Sequence, residues 1–155
     1  MSLEIEKKFI VKDTPENLTQ YSHEEIIQGY ICIENDREIR LRQEGNKHYL
    51  TIKIGKGETR LENEIELSKD QFDIIWPCIL GNIIEKVRYR VPYKNKLILI
   101  DVFKGTYSDL TLAEIEFNSQ KDATTFIPPK WFGTDVTNDE RFKNKNLAKG
   151  VEIKI

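Results

Sequence analysis

The sequence has little of what usually announces a metal cage, a disulfide scaffold or a membrane. Two cysteines and two histidines stand in 155 residues. Cys32 and Cys78 make no metal-ligand pair by spacing, and they fit two reduced cytosolic thiols better than the staples of a secreted scaffold. No apolar stretch is long enough to cross a bilayer as a helix, and no positively charged start runs into an apolar segment as a signal peptide would. A cytoplasmic location and no membrane partner are therefore expected. An excess of positive charge is missing too. The net charge of −2 argues against a broad basic surface for nucleic acid, while leaving room for a local basic pocket. "GKGE" at 55–58 has turn glycines at Gly55 and Gly57, but neither the further glycines nor the following helix of a phosphate loop.

What is present is charge in alternation. Hydrophobic residues at 39% and charged residues at 32% describe a globular chain on the ionic side of average. Its length suits one domain, 1–155, with a core that needs no disulfides. Period-2 segments dominate and predict strands at 3–11, 27–33, 37–43, 48–55, 60–67, 83–93, 96–104 and 111–118. "ENDR" at 34–37, "EGNK" at 44–47 and "YKNK" at 93–96 read as turns, and such short links favour antiparallel neighbours. Predicted helices are few. "SKDQFDIIW" at 68–76 opens on a Ser68 and Gln71 capping box, and "SQKDATTF" at 119–126 starts similarly at Ser119. "TNDERFKNKNLAKG" at 137–150 has Thr137 and Glu140 at capping-box spacing and Gly150 as a stop. The expected fold class is mainly β (α+β): a closed eight-stranded antiparallel β-barrel with a few covering helices. Phe72 and Trp76 fall on a helix's core face, Trp131 in "PPKWFG" pins a loop, and His23 and His48 are placed at the surface.

Side chains two apart on a strand share a face. "LEIEKKFIV" thus puts Glu4, Glu6 and Lys8 in one row, with Ile5, Phe9 and Val11 among those behind. The device recurs. Arg40 and Arg42 share a row in "REIRLRQ", Thr51 and Lys53 in "YLTIKIG", and Arg60, Glu62, Glu64 and Glu66 in "RLENEIEL". Lys86, Arg88 and Arg90 do so in "EKVRYRV", and Glu114 and Glu116 in "LAEIEF", while "LILID" ends at Asp101. One such strand ordinarily means a solvated face. Here the rows are nearly free of Ser, Thr, Asn and Gln, and the signs are sorted by strand. Like charges about 7 Å apart repel by roughly 2 kcal/mol at an effective dielectric of about 20. Solubility does not require that cost. Cations relieve acidic rows and phosphates relieve basic ones. Buried ions without partners cost several kcal/mol each, so a wet, charged lumen with the apolar faces turned outward is the expected arrangement. An outer-membrane barrel shares this alternation, but the missing signal peptide and the amphipathic helices speak against it.

In its order of elements the chain resembles the CYTH domain, also called the triphosphate tunnel metalloenzyme family. The resemblance rests on Glu4-x-Glu6-x-Lys8, "QGY" at 28–30, Arg40-x-Arg42, "TIK" at 51–53 and the Glu62, Glu64 and Glu66 row. It continues through "EKVRYRV" at 85–91, "IDVFKG" at 100–105, "AEIEF" at 113–117 and "VTNDERFKNKNLA" at 136–148. It implies an antiparallel tunnel that binds the triphosphate of tripolyphosphate, thiamine triphosphate or a nucleotide with Mg²⁺ or Mn²⁺. Carried over residue by residue, Glu4, Glu6 and Glu116 are the metal ligands, with Glu64, Asp101 and Glu114 nearby. Lys8, Arg40, Arg42, Lys53, Lys86 and Arg88 form the phosphate clamp. Glu4, Glu6, Lys8 and Glu116 are the catalytic set, and residues 137–149 match a helix closing one tunnel end. Hard oxygen ligands favour Mg²⁺ or Mn²⁺ over zinc.

The short chain is most like the small bacterial members, which implies hydrolysis of tripolyphosphate to pyrophosphate and phosphate. A class IV adenylate cyclase, a thiamine or nucleoside triphosphatase, and a non-catalytic triphosphate binder are the alternatives. The last of these is expected to lose its acidic rows, and both kinds of row are present. No partner beyond such a small molecule is indicated, and no oligomeric state.

Overall fold

A computed structural model describes residues 4–55 and 61–154. Leu3, Gly57 and Arg60, each assigned to a strand or turn above, lie outside the described residues. The strands are β1 (Ile5–Val11), β2 (His23–Ile33), β3 (Arg37–Glu44), β4 (Lys47–Ile54), β5 (Leu61–Leu67), β6 (Leu80–Tyr93), β7 (Lys96–Phe103), β8 (Thr111–Phe117) and β9 (Phe132–Asp135). The helices are α1 (Lys69–Ile75), α2 (Gln120–Thr125) and α3 (Asn144–Ala148). The fold is mainly antiparallel β with few helices. Its hydrogen-bonded order is β5-β4-β3-β2-β6-β7-β8-β1-β9.

That order has two ends and nine strands among the described residues, where eight in a ring were expected. The additional strand is β9. Its four residues "FGTD" carry a glycine and barely one period of alternation, too little to register as a strand in the sequence. It pairs with β1 through Phe9 and Val11, across a register shift.

The chain divides into two compact units, one of Glu25–Glu85 and Glu140–Lys154 and one of Glu4–Glu24 and Lys86–Asp139. In the first, β3 pairs with β2 and β4, and β4 with β5. Gly29 on β2 permits a close approach, since a Cβ there would meet Ile79 Cγ2 at 2.6 Å. The capping box of α1 is present. Ser68 Oγ accepts from the Gln71 N–H, and the Ser68 N–H donates to Gln71 Oε1 at 2.9 Å. Phe72 is buried and stacks on Trp76, as a core-facing stripe should. His48 is not at the surface: it is buried, with its ring 4.8 Å from Phe72, because α1 packs over this face of β4. The helix expected at 137–150 is reduced in this unit to a 3-10 turn at Glu140–Phe142 followed by α3, which ends near Gly150 at φ +86.

In the second unit β6 pairs with β7, β7 with β8, and β8 with β1. The core forms on the alternate positions to the charged rows. Phe9, Val91, Ile98, Ile100, Ala113, Ile115 and Phe117 are buried there, with Leu18, Ala123 and Phe132 from the covering segments. Phe132 packs 4.7 Å from Phe9, and Lys12 and Asp13 donate to the Trp131 carbonyl, so Trp131 pins its loop partly through backbone. Thr137 caps no helix. Its hydroxyl instead accepts the Lys8 N–H at 3.1 Å and bonds Asp135, which holds the outer edge of β1.

Ile98 has no exposed surface. Ile98→Ala is expected to destabilise the protein by about 2–5 kcal/mol through lost contacts and a residual cavity, read from urea unfolding midpoints.

Candidate functional site

Each unit carries one charged face, and each is built by strand register. In the second unit β1 and β8 set Lys8 opposite Glu114 and Glu6 opposite Glu116. β6 and β7 set Arg88 opposite Asp101. Asp101 is 1% exposed and accepts from three donors: Lys86 Nζ at 2.7 Å, Arg88 Nε at 2.7 Å and Arg88 Nη2 at 2.8 Å. Burial works against its charge, yet Lys86 and Arg88 outweigh that and hold its pKa well below the ordinary carboxylate range. Arg88 also reaches Glu114 at 3.5 Å, and Glu114 meets Lys8 at 3.4 Å. Burial pushes Glu114 up, but Lys8 and Arg88 bring it down to about 2. The result is a chain of alternating sign, Lys8–Glu114–Arg88–Asp101–Lys86. Lys86, 1% exposed, also lies over the Phe103 ring at 5.3 Å.

In the first unit the charged face of β3 reads Glu38, Arg40, Arg42 and Glu44. Arg40 donates to Thr51 Oγ1 at 3.2 Å, and Thr51 donates to Glu64 at 3.0 Å, so one hydroxyl links a cation to a carboxylate. Arg42 Nε donates to Gln28 Oε1 at 3.0 Å, and Arg42 Nη1 lies 3.9 Å from Glu44 Oε2. Lys53 pairs with Glu62 at 3.5 Å. Tyr30 stands opposite Arg40 and is buried, which pushes its phenol up to about 12 and keeps it protonated. Gln28 Nε2 and Arg40 Nε are buried with no acceptor among the described residues.

These pairs change the reading of the sorted charges. Cross-strand neighbours sit closer than residues two apart on one strand, so opposite signs across the ladders relieve much of the repulsion inferred along it. Asp101, Glu114 and Glu64, expected near metal, each contact members of the basic set. Arg90, at the end of its row, pairs with Glu24 at 3.8 Å, and both side chains are partly solvated. The sequence reading passed over Glu38 and Glu44, although the period that found Arg40 and Arg42 runs through both. Thr51 shares the predicted row of Lys53, whereas Gln28 and Tyr30 stand out in the sequence only within the "QGY" motif, because neutral side chains add nothing to a charge pattern.

In the register of β1 on β8, Glu6 stands opposite Glu116, and like charges directly opposite are destabilising. Two carboxylates in register fit a hard divalent cation. Among the described residues no ready-made cage of three ligands converges. Mg²⁺ is usually bound through one or two carboxylates, with waters and substrate phosphates completing its shell, and this donor set suits that mode. Among the described residues no helix is long and apolar enough to cross a membrane.

Comparison with known proteins agrees with this chemistry. The CYTH domain model matches residues 2–135. An inorganic triphosphatase of Nitrosomonas europaea is 43% identical over 148 residues, covering 94% of this chain and 96% of that protein. One from Acetivibrio thermocellus is 36% identical over 155 residues, covering 96% and 95%. A crystal structure of an inorganic triphosphatase superposes with a TM-score of 0.73 at 40% identity, covering 97% of each chain.

Both depressed carboxylates make stability pH-dependent with one sign. As pH falls below the ordinary values of 3.8 and 4.5, the unfolded chain takes up protons before Asp101 and Glu114 do. In metal-free buffer, stability is expected to hold above about pH 5 and to fall towards about pH 2. Asp101→Asn should flatten part of that acid limb, and it should cost about 3–5 kcal/mol at pH 7 by leaving buried Lys86 and Arg88 without their anion. Urea unfolding at pH 7, 4 and 3 checks both. Unchanged midpoints at pH 7 would show that Asp101 is not holding these cations.

Proposed function

The chain belongs to the CYTH domain family, and from that premise we propose that it is a metal-dependent triphosphatase that cleaves tripolyphosphate to pyrophosphate and phosphate. The observation that carries the reading is the buried chain of alternating charge. Lys8, Arg88 and Lys86 are held at fixed positions by Glu114 and Asp101, on strands whose same rows carry Glu6 and Glu116. A polyanion that arrives with a hard cation is the ligand such a face favours. The names of the two relatives support the same choice of substrate.

Phosphoryl transfer asks mainly for positioning and neutralised charge. Lys8, Lys86 and Arg88 in one unit, and Arg40, Arg42 and Lys53 in the other, bind non-bridging oxygens: Arg through planar forks, Lys as point charges. Glu4, Glu6 and Glu116 are the proposed ligands of Mg²⁺ or Mn²⁺, with Glu64 and Glu114 in supporting positions. When bound, such an ion neutralises phosphate charge and lowers the pKa of a water. Asp101 orients Lys86 and Arg88 and, with its oxygens engaged, is assigned to that task and not to metal. A water oxygen bonds to the terminal phosphorus as the bridging P–O bond breaks; the leaving pyrophosphate keeps that electron pair, and the proton released by the water passes to a product oxygen or to solvent. No covalent nucleophile on the protein is required. The closed charged tunnel belongs to this proposal on the strength of the family resemblance. So does a single domain, since the matched region includes parts of both units. A cytoplasmic address is retained on the two free thiols.

The test offers tripolyphosphate, ATP and thiamine triphosphate with Mg²⁺ or Mn²⁺, and follows phosphate, pyrophosphate and cyclic AMP. Phosphate release from tripolyphosphate is expected; cyclic AMP with pyrophosphate from ATP would replace the hydrolase by a cyclase. Glu6→Ala and Glu116→Ala should each abolish turnover and leave the unfolding midpoint near that of the parent. Parental rates in either variant would remove these residues from the mechanism.

A further inference from the structure

We infer that Gln28 is a direct substrate contact, its side-chain amide donating alongside Arg40 Nε to non-bridging oxygens of a bound polyphosphate. Gln28 has no exposed surface, and it stands on β2 opposite Arg42. Arg42 Nε donates to Gln28 Oε1 at 3.0 Å. A guanidinium has no acceptor, so this bond fixes the amide: oxygen towards Arg42, NH₂ away from it. Turning the amide over would set donor against donor. The NH₂ so directed is buried and lacks an acceptor among the described residues, and so is the Nε of Arg40.

The two donors come from neighbouring positions of one charged face. Arg40 lies two residues from Arg42 on β3, so it is the diagonal neighbour of Gln28 across the ladder, within about 8 Å. Arg40 is itself held, by Thr51 Oγ1 at 3.2 Å, and its Nε is left over. Buried donors without acceptors are uncommon in folded proteins and call for a partner that arrives from outside. An anion rich in acceptor oxygens and carrying no donors matches two N–H groups, and a polyphosphate is such an anion. A strut for Arg42 alone would be better made by glutamate, which has the same shape and adds a charge-assisted bond. Glutamine differs in the group that is unsatisfied.

This inference rests on the polyphosphate reading for the identity of the anion, and the test separates the two. Protein labelled with ¹⁵N in its glutamine side chains is titrated with tripolyphosphate in metal-free buffer, where hydrolysis does not intervene. The Gln28 amide pair is identified by its absence from Gln28→Glu. Its protons should move downfield and exchange more slowly with solvent as the anion binds. Gln28→Glu should bind tripolyphosphate about tenfold or more weakly while keeping Arg42 in place, the loss expected for one charge-assisted bond. Gln28→Met should weaken binding as well, without an added charge, and its unfolding midpoint checks the fold. An amide pair that does not move on binding, parental affinity in Gln28→Met, or no binding at all overturns the inference. Binding with the amide shift but without turnover under Mg²⁺ or Mn²⁺ sinks the hydrolase reading and leaves this one standing.

Discussion

Asp101 accepts hydrogen bonds from Lys86 and Arg88 while almost wholly removed from water. Each of those ions alone would be costly to bury, by several kcal/mol after relaxation. Together they are tolerable only because the register of β6 on β7 brings Arg88 opposite the carboxylate. Further links depend on that arrangement. Arg88, fixed through its Nε and one Nη, reaches on to Glu114, and Glu114 meets Lys8 on β1. The hydrophobic core makes this possible from the other side of the same strands. Ile98, Ile100, Ala113 and Ile115 are fully buried on alternate positions, so a slip of one residue would exchange core for charge. A register held so firmly is a good platform for positioning phosphate oxygens, where small displacements cost rate.

The first unit meets the same electrostatic problem by different means. Beside the ion pairs of Lys53 with Glu62 and Arg42 with Glu44, neutral groups hold Arg40 and Arg42: Thr51 stands between Arg40 and Glu64, and Gln28 supports Arg42. A hydroxyl can accept from one side and donate to the other, whereas an amide presents one oxygen and one NH₂. Donors consequently remain in excess on this face. The second unit is closed upon itself through charge pairs, and the first is left with buried donors for which an anion is the natural complement.

The legible features were those written in a short period. Alternation over seven or more residues located the eight longer strands to within a few positions, and Ser68 with Gln71 located the start of α1. Hydrophobic alternation is local physics, set by the pleat, and needs no knowledge of neighbours. β9 was missed because four residues including a glycine hold too little of that pattern. The 137–150 segment carried a capping box by spacing, but Thr137 found a better partner in the Lys8 backbone, 129 residues away. His48 reads as a surface residue in the sequence, but α1 packs over it. In each case a tertiary contact outweighed a weak local preference.

The charged rows follow the same division. Sequence by itself determined which residues share a face, that the face is ionic, and that its chemistry suits a polyanion with hard cations, because period and residue type settle those matters within a strand. Which carboxylate meets which cation was decided only by tertiary structure. Arg88 faces Asp101 across a hairpin whose turn at 93–96 is local, but the register of β1 on β8 joins strands some hundred residues apart, and no local pattern encodes that Lys8 faces Glu114 or that Glu6 stands opposite Glu116.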